Sequence, residues 1–422
     1  MKKLILSLPI LFAVFIYIFG PVFSGIARWV DLSFFWACLF CLYNLLYRQL
    51  RIPQYISIYF ILVIPFIFIA TFAAIESYSV GGIAFLLLKP VRILVTLLGG
   101  LGLVAWAYRL HGDKALYLIL NCIFISIFLH ALIMIAQFIY PDFKDWVYSI
   151  VTTGEHRSSF GYNFRMGGLS GGTGGSVLSV VQSLGVVLYP FLAKYFSRWR
   201  LVYLCGALVC AFSVALCGRS GFICIAIFLP VSLVAVGGRL NEIFKALSVL
   251  LSFGLVVFAV FTISGFEPTF ELTKTLQRSF SFFVEFGDKG IAGDDTVKYL
   301  STGVFLPDSV HTFLLGDPEA LLNTQFERTL QSDVGYIRNL FGFGLFGSFL
   351  YWFPLILTMA NAFRNRSAHQ IYYMLGMCCL IMMFFHLKEP VIYVRMFFPI
   401  ICLLMGCAYI HNNPIMLADK RS

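Results

Sequence analysis

Apolar runs of about twenty residues recur along the whole chain, and a helix needs a run of that length to cross the hydrocarbon core of a bilayer. They fall at 4 to 20, 31 to 47, 55 to 75, 91 to 108, 115 to 140, 173 to 193, 201 to 217, 221 to 237, 245 to 264, 337 to 361, 370 to 386 and 391 to 410. Backbone amides in hydrocarbon must bond internally, so such a chain is predicted to be an all-α polytopic membrane protein of about 12 transmembrane helices. With 60% hydrophobic and only 12% charged residues, the composition fits no soluble class, where about a quarter of residues are charged.

The stretch "GGIAFLLLKPVR" before the fourth run is too short to cross by itself and reads either as a re-entrant piece or as an early start to that helix. The first run follows "MKK" as in a signal peptide, but "GPVFSGIARWV" holds no small-residue cleavage pattern, so it is read as a retained helix.

Orientation follows from the basic residues of short loops. With both termini cytoplasmic, the inner face carries fifteen of the 30 Lys and Arg but only Asp113, Glu242 and Asp419 of the 20 Asp and Glu. The net charge of +10 is therefore a topology signal, and no nucleic-acid partner is implied. All eleven cysteines lie in or at the ends of apolar runs, where they act as small apolar residues rather than as a disulfide framework.

The chain reads as a single transmembrane domain, 1–422, with two long outer connections, 141–172 and 264–336. Long loops in a compact protein usually carry function. The second mixes charges with "FSFFVEF" and "HTFLLG", a pattern of a small folded cap rather than a solvated linker.

Arginine dominates the outer side, at Arg92, Arg157, Arg165, Arg219, Arg278, Arg328, Arg338 and Arg395. A guanidinium at the rim of a helix bundle needs an anion or a carboxylate, or else it snorkels to headgroups. Eight together on the side with the weaker basic bias point to a phosphate-bearing ligand, because the planar fork matches phosphate oxygens. After Arg165, "RMGGLSGGTGG" opens the sixth apolar helix. Its glycines either expose helix N-terminal amides to an anion or let helices pack closely. Asp333, just before "GYIRNLFGFGLFGS", is a helix cap or a group that orients an arginine or a sugar hydroxyl. His311 is structural or a base over the anion site, and His386, Lys388, Glu389 and Arg395 form a further outer polar set. No metal-ligand spacing, Walker A pattern or GxSxG elbow occurs.

The combination of "TFLLGDP", "SDVGYIRNLFGFGLFGSFLYW", "RMGGLSGGTGG" and "GRSG" around two large outer loops resembles bacterial O-antigen polymerases of the Wzy type and, more distantly, O-antigen ligases. The resemblance implies a GT-C-like helical glycosyltransferase in the bacterial inner membrane, with the two loops periplasmic. Its substrate would be an undecaprenyl-diphosphate-linked oligosaccharide in the lipid bilayer, with a chain-length regulator as a further partner and no cofactor or metal. An R-x10-G pattern described for the family fits Arg157 with Gly168, whereas Arg278 meets Lys289 at that spacing. On this reading Arg157, Arg165, Arg219, Arg278, Arg338 and Arg395 bind the diphosphate, and His311 or Asp333 takes the proton from the attacking hydroxyl. The rivals are a ligase using the same donor and, in a different class, a lipid-linked oligosaccharide flippase. Against the flippase, charges gather at the outer helix ends rather than at the midplane expected of transporters.

Overall fold

The computed structural model describes residues 2–23, 31–47, 54–76, 78–151, 165–170, 175–237, 304–322 and 334–412. The described residues are helical throughout, apart from turns and one isolated bridge between Phe23 and Val151. In chain order the helices are α1 (Lys2–Phe19), α2 (Leu32–Tyr47), α3 (Gln54–Ser57), α4 (Val63–Ile75), α5 (Val80–His111), α6 (Ala115–Ile139), α7 (Pro141–Ile150) and α8 (Ser176–Val187). They continue with α9 (Tyr189–Tyr195), α10 (Arg200–Cys217), α11 (Ser220–Ala235), α12 (Val310–Leu315), α13 (Glu319–Leu322), α14 (Gly335–Arg364), α15 (Gln370–Phe385) and α16 (Phe398–Asn412).

Among the described residues, five helical stretches are long and apolar enough to cross a membrane: Ile58–Ile75, Val80–Ile139, Ser176–Tyr195, Ser197–Cys217 and Gly335–Arg364. The second is α5 and α6 joined by the short turn Gly112–Lys114. Shorter apolar helices add Ser7–Phe19, Leu32–Leu46, Ser220–Ala235, Gln370–Phe385 and Phe398–His411. Large apolar side chains such as Leu46, Ile64, Phe68, Val234 and Phe346 stand exposed on their helices. That pattern suits contact with lipid tails, as a membrane-embedded chain requires.

One open alternative is resolved, and two features differ from the sequence expectation. The stretch before the fourth run is an early start: α5 begins at Val80 and continues for 32 residues. The connection 141–172 is no plain loop, because Pro141 fixes the first turn of α7, where its missing N–H leaves no bond unmade. The last helix begins only at Phe398, after turns that include Tyr393 at a positive φ of 59°. The ninth apolar run, 245–264, lies outside the described residues, as does most of 264–336.

The chain divides into two compact units, one formed by 1–36 and 110–284, the other by 37–109 and 285–422. In the first, α8 is packed by α6, α10 and α11, and α1 lies along α6. Phe19 of α1 stacks on the His130 ring of α6, centroids 4.1 Å apart.

In the second unit α14 is the centre, packed by α4, α12, α13 and α15, with α16 against α15. Phe40 of α2 meets Trp106 of α5 with ring centroids 5.5 Å apart. The helical path of α14 breaks at Gly344, whose φ of 65° and ψ of −176° suit glycine alone. Such a break interrupts the bond from residue 345 back to the Phe341 carbonyl, and the Asp317 N–H donates to that carbonyl at 2.8 Å instead. The segment from Leu314 to Asp317 is thereby seated in the break, with Gly316 lying against the backbone from Gly342 to Gly344.

A candidate anion site at two helix N-termini

In the first unit, residues 165–170 run as an irregular strap among helices, and each polar backbone group that turns inward meets a partner. The α6 face supplies His130 and Gln137, seven residues apart and so on one side of the helix. Gln137 forms a double bond pair with Gly168: the Gly168 N–H donates to Oε1 at 2.9 Å, and Nε2 donates to the Gly168 carbonyl at 3.1 Å. The Leu169 N–H donates to His130 Nε2 at 3.1 Å. The Tyr148 hydroxyl, from α7, accepts from the Gly167 N–H at 2.7 Å, and the Met166 N–H donates to the Leu216 carbonyl of α10 at 3.0 Å.

The His130 ring is fully buried, and proton balance fixes its tautomer. With Nε2 accepting from Leu169, the ring proton sits on Nδ1, which meets the Gln182 amide of α8 at 2.8 Å. The amide must then turn its oxygen to Nδ1 and its NH2 toward the Ser213 hydroxyl, with which the amide makes a 3.1 Å bond. His130 is thus a structural clamp for the strap, not a free base.

The clamp delivers Arg165 to one place. A Cβ on Gly175 would lie 2.9 Å from Arg165 Nη1, so the guanidinium occupies the space that a side chain there would fill. Gly175 is the N-cap of α8, with φ 107°, and offers no side chain to cap the helix. Beside it, a Cβ on Gly218 would lie 3.8 Å from the Ser176 nitrogen, and Arg219 is the N-cap of α11, again without a side-chain cap. Ser179 ties the two helix starts together, since its hydroxyl donates to the Gly218 carbonyl and accepts from the Gly221 N–H. Two positive dipole ends and a guanidinium therefore converge, and Arg165 Nε is buried with no hydrogen-bond partner among the described residues. A cation at a helix N-terminus is unfavourable unless an anion lies between them. The arrangement has the chemistry to take a phosphate or diphosphate, and within "RMGGLSGGTGG" Gly175 leaves room for the Arg165 guanidinium while Gly168 seats the strap.

Of the other sequence-predicted site residues, Arg157, Arg278 and Asp333 lie outside the described residues. His311, Arg338 and Arg395 belong to the second unit. His311 is exposed on α12, its ring centroid 5.1 Å from that of Phe72. Arg338 lies in the first turn of α14. Arg395 is in the turns before α16.

His386, noted in the sequence only as one of an outer polar set, is buried and structural. Its Nδ1 accepts from the Val391 N–H at 3.2 Å, its Nε2 meets the Asn339 amide at 2.9 Å, and its carbonyl accepts from the Gly335 N–H at 2.9 Å. It thereby fastens the start of α14 to the end of α15. Sequence reasoning passed over His130, Gln137 and Gln182, although polar residues inside an apolar helix were the available signal. Comparison with protein-family models, with curated proteins and with solved structures gives no match for this chain.

Proposed function

We propose that the protein is a polysaccharide polymerase of the bacterial inner membrane that joins undecaprenyl-diphosphate-linked oligosaccharide repeat units at the periplasmic face. The observation that carries this reading is Arg165, held by the strap against the paired N-termini of α8 and α11 beside Arg219. In glycosyl transfer from a lipid diphosphate, negative charge grows on the diphosphate as the anomeric carbon–oxygen bond breaks. Preorganised amides and guanidinium groups at that point stabilise the transition state more than the ground state. The acceptor hydroxyl loses its proton to a base, for which His311 and Asp333 are the candidates. The growing glycan moves to the incoming repeat, and undecaprenyl diphosphate leaves. A twelve-helix GT-C-like frame, cytoplasmic termini and a chain-length regulator as neighbour belong to the same proposal.

The test is genetic. Deleting the gene is expected to collapse the surface-glycan ladder to a single repeat on the lipid core, and the wild-type gene restores it. Arg165→Ala is expected to lower polymer formation by about 100-fold at unchanged protein level, with Arg165→Lys partly active. A bare core with no repeat in the deletion strain would replace the proposal with ligase or flippase activity, and a full ladder from Arg165→Ala would remove the anion site from the mechanism.

A further inference from the structure

Helix α7 divides its residues among three faces at helical spacing. Lys144, Val147 and Tyr148 turn toward the protein: the first two are buried, and the Tyr148 hydroxyl meets the strap. Asp142, Asp145 and Ser149 form an exposed polar face. Phe143, Trp146 and Ile150 form the third, which is apolar although Trp146 is 60% exposed and Ile150 is exposed as well. The Phe143 and Trp146 rings stack there, with centroids 5.9 Å apart. A surface helix of a soluble protein turns its one apolar face to the core. A second apolar face, turned outward, needs a cover of its own.

The two ends of α7 say what that cover is. The 25 residues of α6 rise about 37 Å at ~1.5 Å per residue, which exceeds the roughly 30 Å of hydrocarbon, so α6 ends at headgroup level. Leu132 and Ile139, seven residues apart and so on one side of α6, are both exposed and mark its lipid-facing flank. Only Tyr140, in extended backbone and itself exposed, separates Ile139 from α7. At the other end, Val151 pairs with Phe23, just past the end of α1, and α1 lies along α6. The exposed apolar face is thus held between the ends of two membrane helices and continues the lipid-facing flank of one of them. Tryptophan and tyrosine are the side chains that membrane–water boundaries favour, because each joins an apolar ring to a polar group.

Charge narrows the choice of lipid. Interfacial helices that bind anionic headgroups carry Lys and Arg on the polar face. The single basic residue of α7, Lys144, is buried, and the exposed polar face carries Asp142 and Asp145. Such a face suits zwitterionic headgroups and water.

We propose that α7 is a membrane-surface helix: its Phe143, Trp146 and Ile150 face docks on the zwitterionic headgroup layer of the bilayer, and Tyr148 ties the Arg165 strap to that surface. The tie is direct, since the Tyr148 hydroxyl accepts from the Gly167 N–H at 2.7 Å and donates to the Arg165 carbonyl at 3.4 Å. This docking does not depend on the glycosyl-transfer reading.

The test uses the full chain in phosphatidylcholine nanodiscs that hold one of two photoreactive phosphatidylcholines, with the diazirine near the glycerol or at the methyl end of an acyl chain. Labelled peptides are located by mass spectrometry. An interfacial helix sinks about 5–10 Å into the headgroup boundary, so the near-glycerol probe is expected to label 139–150 at least about fivefold more than the methyl-end probe. Equal labelling by the two probes, or labelling by neither, overturns the proposal. Replacing half of the lipid by phosphatidylglycerol is expected to leave the labelling unchanged, and a several-fold rise overturns the zwitterionic assignment. In Trp146→Asp the labelling is expected to fall and the Gly167 amide to exchange its hydrogen about fivefold faster, with Trp146→Tyr near wild type in both. Unchanged labelling in Trp146→Asp overturns the docking face, and unchanged exchange with reduced labelling overturns the tie through Tyr148. Trp146→Ser serves if the aspartate variant does not accumulate.

Discussion

Replacing Gly344 by alanine tests the reasoning that joins α12 and α13 to α14. Gly344 holds φ 65° and ψ −176°, a region in which a side chain costs about 1–3 kcal/mol. A Cβ there would strike the Leu314 carbonyl oxygen and lie 2.6 Å from the Gly316 nitrogen, both backbone atoms that cannot turn aside. Relief requires the segment to withdraw, which breaks the bond from Asp317 to Phe341 and costs about 1 kcal/mol more. The expected loss is about 2–4 kcal/mol in the unfolding free energy of the purified protein, measured by steric trapping in bicelles. Gly81→Ala on α5 is the control, because nothing lies within 4 Å of its Cβ and an exposed helical alanine gains up to about 1 kcal/mol over glycine. If Gly344→Ala is as stable as wild type or more so, α14 straightens without penalty, and the seated segment is not what holds the break.

Other outcomes follow from residues already placed. His130→Ala should cost about 2–4 kcal/mol in the same assay, since the Leu169 N–H and the Gln182 amide lose a buried partner, and an unchanged midpoint would deny the strap its clamp. His369 caps α15 by accepting from the Ile371 N–H at 3.2 Å, and burial, then the His411 ring 4.3 Å away, lower its pKa below the ordinary 6.5. The neutral cap's contribution is therefore complete above about pH 6.5 and is lost as pH falls through the lowered value, so the thermal midpoint should drop there in wild type but not in His369→Asn. Trp146 is exposed on α7, whose Lys144 and Val147 face inward, so its fluorescence should be quenched by lipids brominated near the headgroup and not near the chain ends, with Trp146→Phe as the subtraction.

Helix type and position were largely legible because each rested on local composition. The runs 115 to 140, 201 to 217 and 370 to 386 match α6, α10 and α15 within a residue or so. The break in α14 was not legible. "GFGLFG" reads equally as a packing face, and the choice is made by a segment around Gly316 that comes earlier in the chain. Arg165 and Arg219 could be nominated from cost alone, since guanidinium in an apolar chain needs a reason. That Arg165 lies at the start of α8, next to the helix that Arg219 caps, depended on Ser179 and on a strap held by His130 and Gln137, whose partners are distant in sequence.

The break at Gly344 also bears on how the chain is made. A helix interrupted within a span leaves a carbonyl at Phe341 that hydrocarbon cannot satisfy. The residue that satisfies it, Asp317, precedes α14 in the chain and so leaves the ribosome first. When the first half of α14 enters the bilayer, its partner has already been synthesised, and the interrupted helix need not wait on any later part of the protein.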